Sequence, residues 1–186
     1  MLPSRTRRLA LVSLVAALAA ANLALANRPE ARHATVWWKN YHWTRSNLRV
    51  LLATSSYSSN DAVRAVNAWN ATDLTLSSGT PLGHDIYVAD GLYGETGWRG
   101  LATVIPALLP KGAIATCQAR LNRTYRSSPT NRTMNWRWQG TYCMEVGHCV
   151  GLWHDDDSGC MNSSAMSNGT ANGPSPQNVQ SINGRY

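Results

Sequence analysis

Four cysteines, all between positions 117 and 160, constrain this chain more than any other feature. Cys143 and Cys149 fall in one run, residues 139–150, that reads as a helix. Six residues of helix rise about 9 Å, which is too far for a bridge between them. In an oxidising compartment the four would close two disulfides. Two arrangements survive: 117–149 with 143–160, or 117–143 with 149–160. The first is the one favoured here. Either arrangement ties the helix to an upstream strand and to the loop that follows. Zinc binding by cysteine alone is a weaker reading, because no C-x-x-C pair exists.

The N-terminus supplies the compartment. Arg5, Arg7 and Arg8 precede an apolar stretch from Leu9 to about Ala21, and Ala24-Leu25-Ala26 gives a small-x-small cleavage pattern. Residues 1–26 therefore read as a signal peptide cut after Ala26, and the protein as secreted. The apolar stretch is short for an uncleaved membrane anchor. Thr6-Arg7-Arg8-Leu9 touches the twin-arginine pattern, so the export route stays open. Nothing after the first thirty residues is apolar enough to cross a bilayer, so no stable membrane insertion is expected after cleavage. The net charge is +7, but no block of Lys and Arg accompanies it. Nucleic acid is accordingly not an expected partner. With 44% apolar and 15% charged residues, a wholly disordered chain is excluded. After the leader, residues 27–45 read as a short N-terminal segment and residues 46–186 as one domain, expected to be a monomer.

Hydrophobic periodicity outlines that domain. Residues 47–55 are β-rich, and Asn60-Asp61 caps a helical run over 62–71, where Ala62, Val63, Val66 and Trp69 fall at helical spacing. Residues 73–77 alternate briefly before Gly79 and Pro81 break them. Residues 84–89 read as a strand, 90–100 as a loop with four glycines, and 101–105 and 112–125 as further strands. Residues 127–135 read as a loop, 139–150 as a helix stopped by Gly151, and 177–186 as a final short helix. Trp37, Trp38, Tyr41, His42 and Trp43 read as packing over the core, in a chain that has no Phe, rather than as a sugar-binding platform. Trp136 and Trp138 read as packing too. His33, His42 and His84 are assigned no role.

The chemistry is concentrated in residues 142–162, Y-C-M-E-V-G-H-C-V-G-L-W-H-D-D-D-S-G-C-M-N. Met144 and His148 are four apart on the helix and share a face. Glu145 lies beside the first of them, about 100° around the axis. Gly151 permits a sharp turn, after which His154 can swing back toward His148. Two converging imidazoles with a carboxylate beside them suit a zinc ion and its bound water.

This stretch resembles the metzincin metalloproteases, whose motif is H-E-x-x-H-x-x-G-x-x-H followed by a Met-turn. Glu145, His148, Gly151 and His154 fall at the required spacing, and Met161 stands where the Met-turn is expected, ahead of Met166 as a candidate. Small secreted matrixin-like or snapalysin-like domains are the nearest in pattern. The resemblance implies an α+β, zincin-type domain: a twisted, mostly parallel sheet with a backing helix, an active-site helix and a C-terminal helix. It implies a secreted zinc-dependent endopeptidase acting on protein or peptide substrates, with His148 and His154 as metal ligands and Glu145 as general base. The substrate backbone would lie along an edge strand within 101–105 or 112–125.

One departure stands at the first ligand position, which is Met144 instead of His. A thioether is soft and suits Cu(I) better than Zn²⁺. The alternative implied is a catalytically impaired, metzincin-fold binding module. Asp155, Asp156 and Asp157 read as a solvated turn or a weak Ca²⁺ contact before a substitute zinc ligand. No G-x-S-x-G elbow, phosphate-binding loop or cysteine-switch segment is present.

Overall fold

A computed structural model describes residues 37–56, 58–79, 82–125, 132–164 and 171–186, with the backbone alone for 132–137. The signal-peptide reading, His33, Met166 and residues 127–131 of the expected loop lie outside the described residues.

The described residues form an α+β structure. In chain order its elements are β1 (Asn47–Ala53), α1 (Ser59–Ala68), β2 (Thr75–Ser78), β3 (Ile86–Gly91), β4 (Gly100–Pro106), β5 (Ile114–Asn122), α2 (Arg132–Cys149) and α3 (Pro176–Asn183). The five strands make one sheet in the order β2-β1-β3-β5-β4. Every neighbouring pair is parallel except β4 with β5, which run antiparallel with Ala102 opposite Ala119. β4 is therefore an edge strand and β5 an interior one. Of the two segments expected to offer a free edge, only the 101–105 one does so; β3 and β4 cover β5 on both sides.

One face of the sheet is buried. Leu48, Val50, Leu76, Ile86, Val88, Cys117, Ala119 and Leu121 point into it, while the alternate Arg49, Ser77, Tyr87, Gln118 and Arg120 are half-buried or exposed. This is the period-2 pattern of a sheet covered on one side. The cover is α1 and α2, which pack against each other, with α1 also on β1 and α2 on β4 and β5. Trp69 is fully buried and donates its indole N–H to the Cys143 carbonyl at 3.0 Å. Trp43 does the same to the Cys149 carbonyl at 2.9 Å.

Several boundaries differ from the sequence reading by two or three residues, and the start of α2 by seven. α2 begins at Arg132, not 139, because nothing after Pro129 interrupts a helix: residues 132–138 contain neither Gly nor Pro. α1 begins at Ser59, ahead of the expected Asn60-Asp61 cap. The hydroxyl of Ser58 does not cap it but donates to the Asp90 carboxylate. Asp61 instead sits in the first turn, where its charge favours the positive end of the helix dipole. α3 carries a reciprocal capping box between Ser175 and Asn178, with Pro176 at its first turn.

The two disulfides are Cys117–Cys149 and Cys143–Cys160. They fix the C-terminal end of α2 to β5 and, from Cys143 in the body of the helix, fix it to the turn holding Met161. Two structural disulfides mark an oxidising, extracellular-type environment. Among the described residues no helix is long and apolar enough to cross a membrane.

Candidate active site

α2 ends in a way that turns the chain back on itself. The Gly151 N–H bonds to the His148 carbonyl at 3.0 Å and the Leu152 N–H to the Gly147 carbonyl at 3.0 Å, the paired bonds of a Schellman stop. Gly151 has φ +102°, a conformation that a side chain strongly disfavours, and a Cβ there would collide with the Tyr41 carbonyl oxygen. The reversal brings the His154 ring to 4.8 Å from the His148 ring, centroid to centroid.

The two imidazoles sit in different surroundings. His148 is 5% exposed, and its Nδ1 lies 2.8 Å from the Leu152 carbonyl oxygen. A carbonyl can only accept, so Nδ1 carries the proton and Nε2 keeps its lone pair, as a metal-binding histidine requires. Burial pushes the His148 pKa down to about 4, with the Leu152 bond opposing the fall and His154 adding to it. Burial also lowers His154, against the pull of Asp155. Indoles surround the pair: Trp38 lies 5.3 Å from His148, and Trp153 lies 5.4 Å from His148 and 5.0 Å from His154, nearly parallel to it.

Glu145 is 6% exposed and rests against the edge strand. Burial raises its pKa to about 8, offset in part by the Ala102 N–H, which donates to it. Gly100 makes the approach possible, since a Cβ there would overlap the Glu145 carboxylate and the Thr141 methyl. Met144, 4% exposed, joins Glu145, His148 and His154 in lining one open cleft of about 450 Å³. The start of β4, from Gly100 to Ala102, also lines the cleft, as do Trp38 and Trp153.

Met161 is fully buried and lies directly under α2: a Cβ on Gly147 would strike its sulfur. It sits in a turn closed by the Asn162 N–H on the Gly159 carbonyl at 3.1 Å. Cys160 beside it carries the bridge to Cys143. Within the acidic run, Asp155 accepts from the Asn178 side chain at 2.6 Å and from the Asp157 N–H at 3.2 Å.

Sequence reading missed five contributors, among them Trp153, which stacks on His154. Trp38, read as core packing, lies on His148 because its N–H bonds to the Gly151 carbonyl at 2.8 Å. The Leu152 carbonyl, Gly100 and Ala102 are backbone features. Only the glycine at 100, after three others in the preceding loop, left a trace in the sequence.

No family model and no curated protein matches the sequence. Among solved structures, two of myroilysin align with TM-scores of 0.43 and 0.38, at 14% and 13% identity. The alignments cover 63% and 69% of this chain and 54% and 49% of theirs, so the chain spans about half the length of the structures it matches.

The donor set fits a metal ion in part. His148 with its free Nε2 and His154 facing it across the Gly151 turn are two suitable nitrogen ligands. The third position offers a thioether, and among the described residues no group of three His, Cys, Asp or Glu side chains is placed to hold a metal.

Proposed function

We propose that this protein is a secreted metalloendopeptidase of the metzincin type, acting on peptide bonds of substrates held along β4. The observation that carries the reading is the facing pair of imidazoles in a cleft whose wall is both a free sheet edge and the Glu145 carboxyl. His148 and His154 would hold a zinc ion, which when bound lowers the pKa of its water to about 7 and polarises a carbonyl. The remaining work falls to the chain. The outer edge of β4, apart from the Ala102 N–H that Glu145 takes, adds an extended peptide as a further strand and so sets its backbone across the cleft. Trp38 and Trp153 pack against the His148 ring and help to hold its plane. A carboxyl whose pKa is lifted toward neutrality is suited to both halves of a proton shuttle. Glu145 takes a proton from the attacking water and returns it to the leaving amine.

The test is casein cleavage by the purified protein, with and without a chelator, alongside its zinc content. Cleavage that is abolished by chelation and by Glu145→Ala supports the peptidase. Cleavage that survives both overturns it.

Met144 favours a second reading, a binding module on the same fold that holds peptides without cutting them. A thioether where a third nitrogen is needed should weaken zinc binding by at least the 10–100-fold that a lost second-shell partner costs, roughly. Absence of both zinc and cleavage in the wild type, with both gained in Met144→His, selects this reading.

A further inference from the structure

The turn joining β4 to β5 is unlike the rest of the surface. Ile105, Pro106, Leu108, Leu109 and Pro110 are all exposed, with Leu108 99% and Leu109 83% accessible. Scattered surface leucines need no explanation, but a run of apolar side chains standing clear of the fold at the tip of a hairpin does. The turn is anchored, not loose. The Ala107 N–H bonds to the Ala113 carbonyl at 2.8 Å, and the Ala113 N–H to the Pro110 carbonyl at 2.9 Å.

Its neighbours are basic. The His42 N–H bonds to the Gly112 carbonyl at 3.0 Å, and the Ile114 N–H to the His42 carbonyl at 2.8 Å, which lays the turn at residues 38–41 alongside. That turn displays Lys39, the hairpin displays Lys111, and Arg185 joins them by donating to the Asn40 carbonyl at 3.1 Å. Arg185 lies over Trp37, its guanidinium carbon 4.0 Å from the ring centroid. Neither residues 105–113 nor residues 37–42 contain an Asp or Glu. An apolar tip flanked by cations with no acidic side chain in either segment is complementary to an anionic lipid bilayer, where the tip enters the acyl boundary and the cations meet headgroups.

We propose that the β4–β5 hairpin is a membrane-contact element, by which the folded protein docks reversibly on anionic lipid through Leu108 and Leu109 with Lys39, Lys111 and Arg185 at the rim. It does not depend on the metal or on cleavage. Because β4 runs from the cleft to this tip, docking holds the cleft within one strand length, roughly 20 Å, of the bilayer surface.

The test is co-sedimentation of the protein recovered from a secreting host's medium with phosphatidylcholine vesicles, with and without phosphatidylglycerol. Binding is expected only to the anionic vesicles and is expected to fall with added salt. Leu108→Ser/Leu109→Ser should weaken it at least about tenfold, and Lys111→Glu several-fold, without loss of far-UV circular dichroism signal. The two leucines touch too little of the fold for their replacement to unfold it. Binding equal in the wild type and the double variant overturns the proposal. So does failure of the wild type to bind, or self-association in lipid-free sedimentation that the double variant abolishes, which would make the tip's partner a second copy of this chain.

Discussion

Met144 is one helical turn before His148 and opens into the same cleft, so the difference between a thioether and an imidazole there decides how firmly a metal can be held. Met144→His should tighten zinc binding by about 10–100-fold or more, read by competition with a chromogenic chelator. Glu145 and His148 together predict how the metal-free protein responds to pH. Burial lifts Glu145 from an ordinary 4.5 to about 8, so the native state keeps a proton that the unfolded chain has lost. Its contribution to stability is full below about pH 4.5 and gone once the pH rises through 8. His148 behaves oppositely: pushed from 6.5 to about 4, its contribution is full above pH 6.5 and lost as the pH falls through 4. Between about pH 6.5 and 8 only the carboxyl's effect remains. The urea midpoint of the chelated wild type should therefore drop across that window, and that of Glu145→Gln should not. The spacing of these residues was legible from the chain because all lie on one helix or one turn beyond it. Trp38 and Gly100 were not legible as site residues. Their partners are 110 and 45 positions away, and no local pattern records a contact made across the sheet or along the N-terminal segment.

α2 is the element through which the fold and the site are joined. Its N-terminal extent escaped sequence reading because polar residues without a breaker look the same in a helix and in a loop. Its C-terminal end was readable, because a glycine after an apolar run is the commonest way to stop a helix. At Gly151 the turn has no room for a methyl group. Gly151→Ala should cost at least about 1–3 kcal/mol in denaturant unfolding, and should separate the two imidazoles, giving a loss of metal affinity larger than the loss of stability alone explains. Both disulfides also end on this helix. The sequence left two pairings open, since strand register is invisible from spacing. Cys117 stands opposite Ile86 in the middle of the sheet, on the buried face that receives the end of α2. Cys143→Ser/Cys160→Ser frees the turn holding Met161, and should cost about 2–4 kcal/mol on the loop-closure argument.

At the scale of the molecule, the sheet of the described residues has β4 at its edge, and that strand meets α2 at its start and the exposed Leu108-Leu109 tip at its far end. The proposed substrate edge and the proposed lipid contact thus share one strand, with Glu145 of α2 packed against its start. The alternation of buried and exposed residues made the strands legible. Their order was not, since only the folded pairing decides that β5 is interior and β4 marginal. The whole account turns on His148 and His154 acting together on one metal ion, and equilibrium dialysis of the purified protein against zinc tests this most directly. One zinc per chain is expected, with binding lost in His148→Ala and equally in His154→Ala. Zinc bound just as well by both variants would contradict the account.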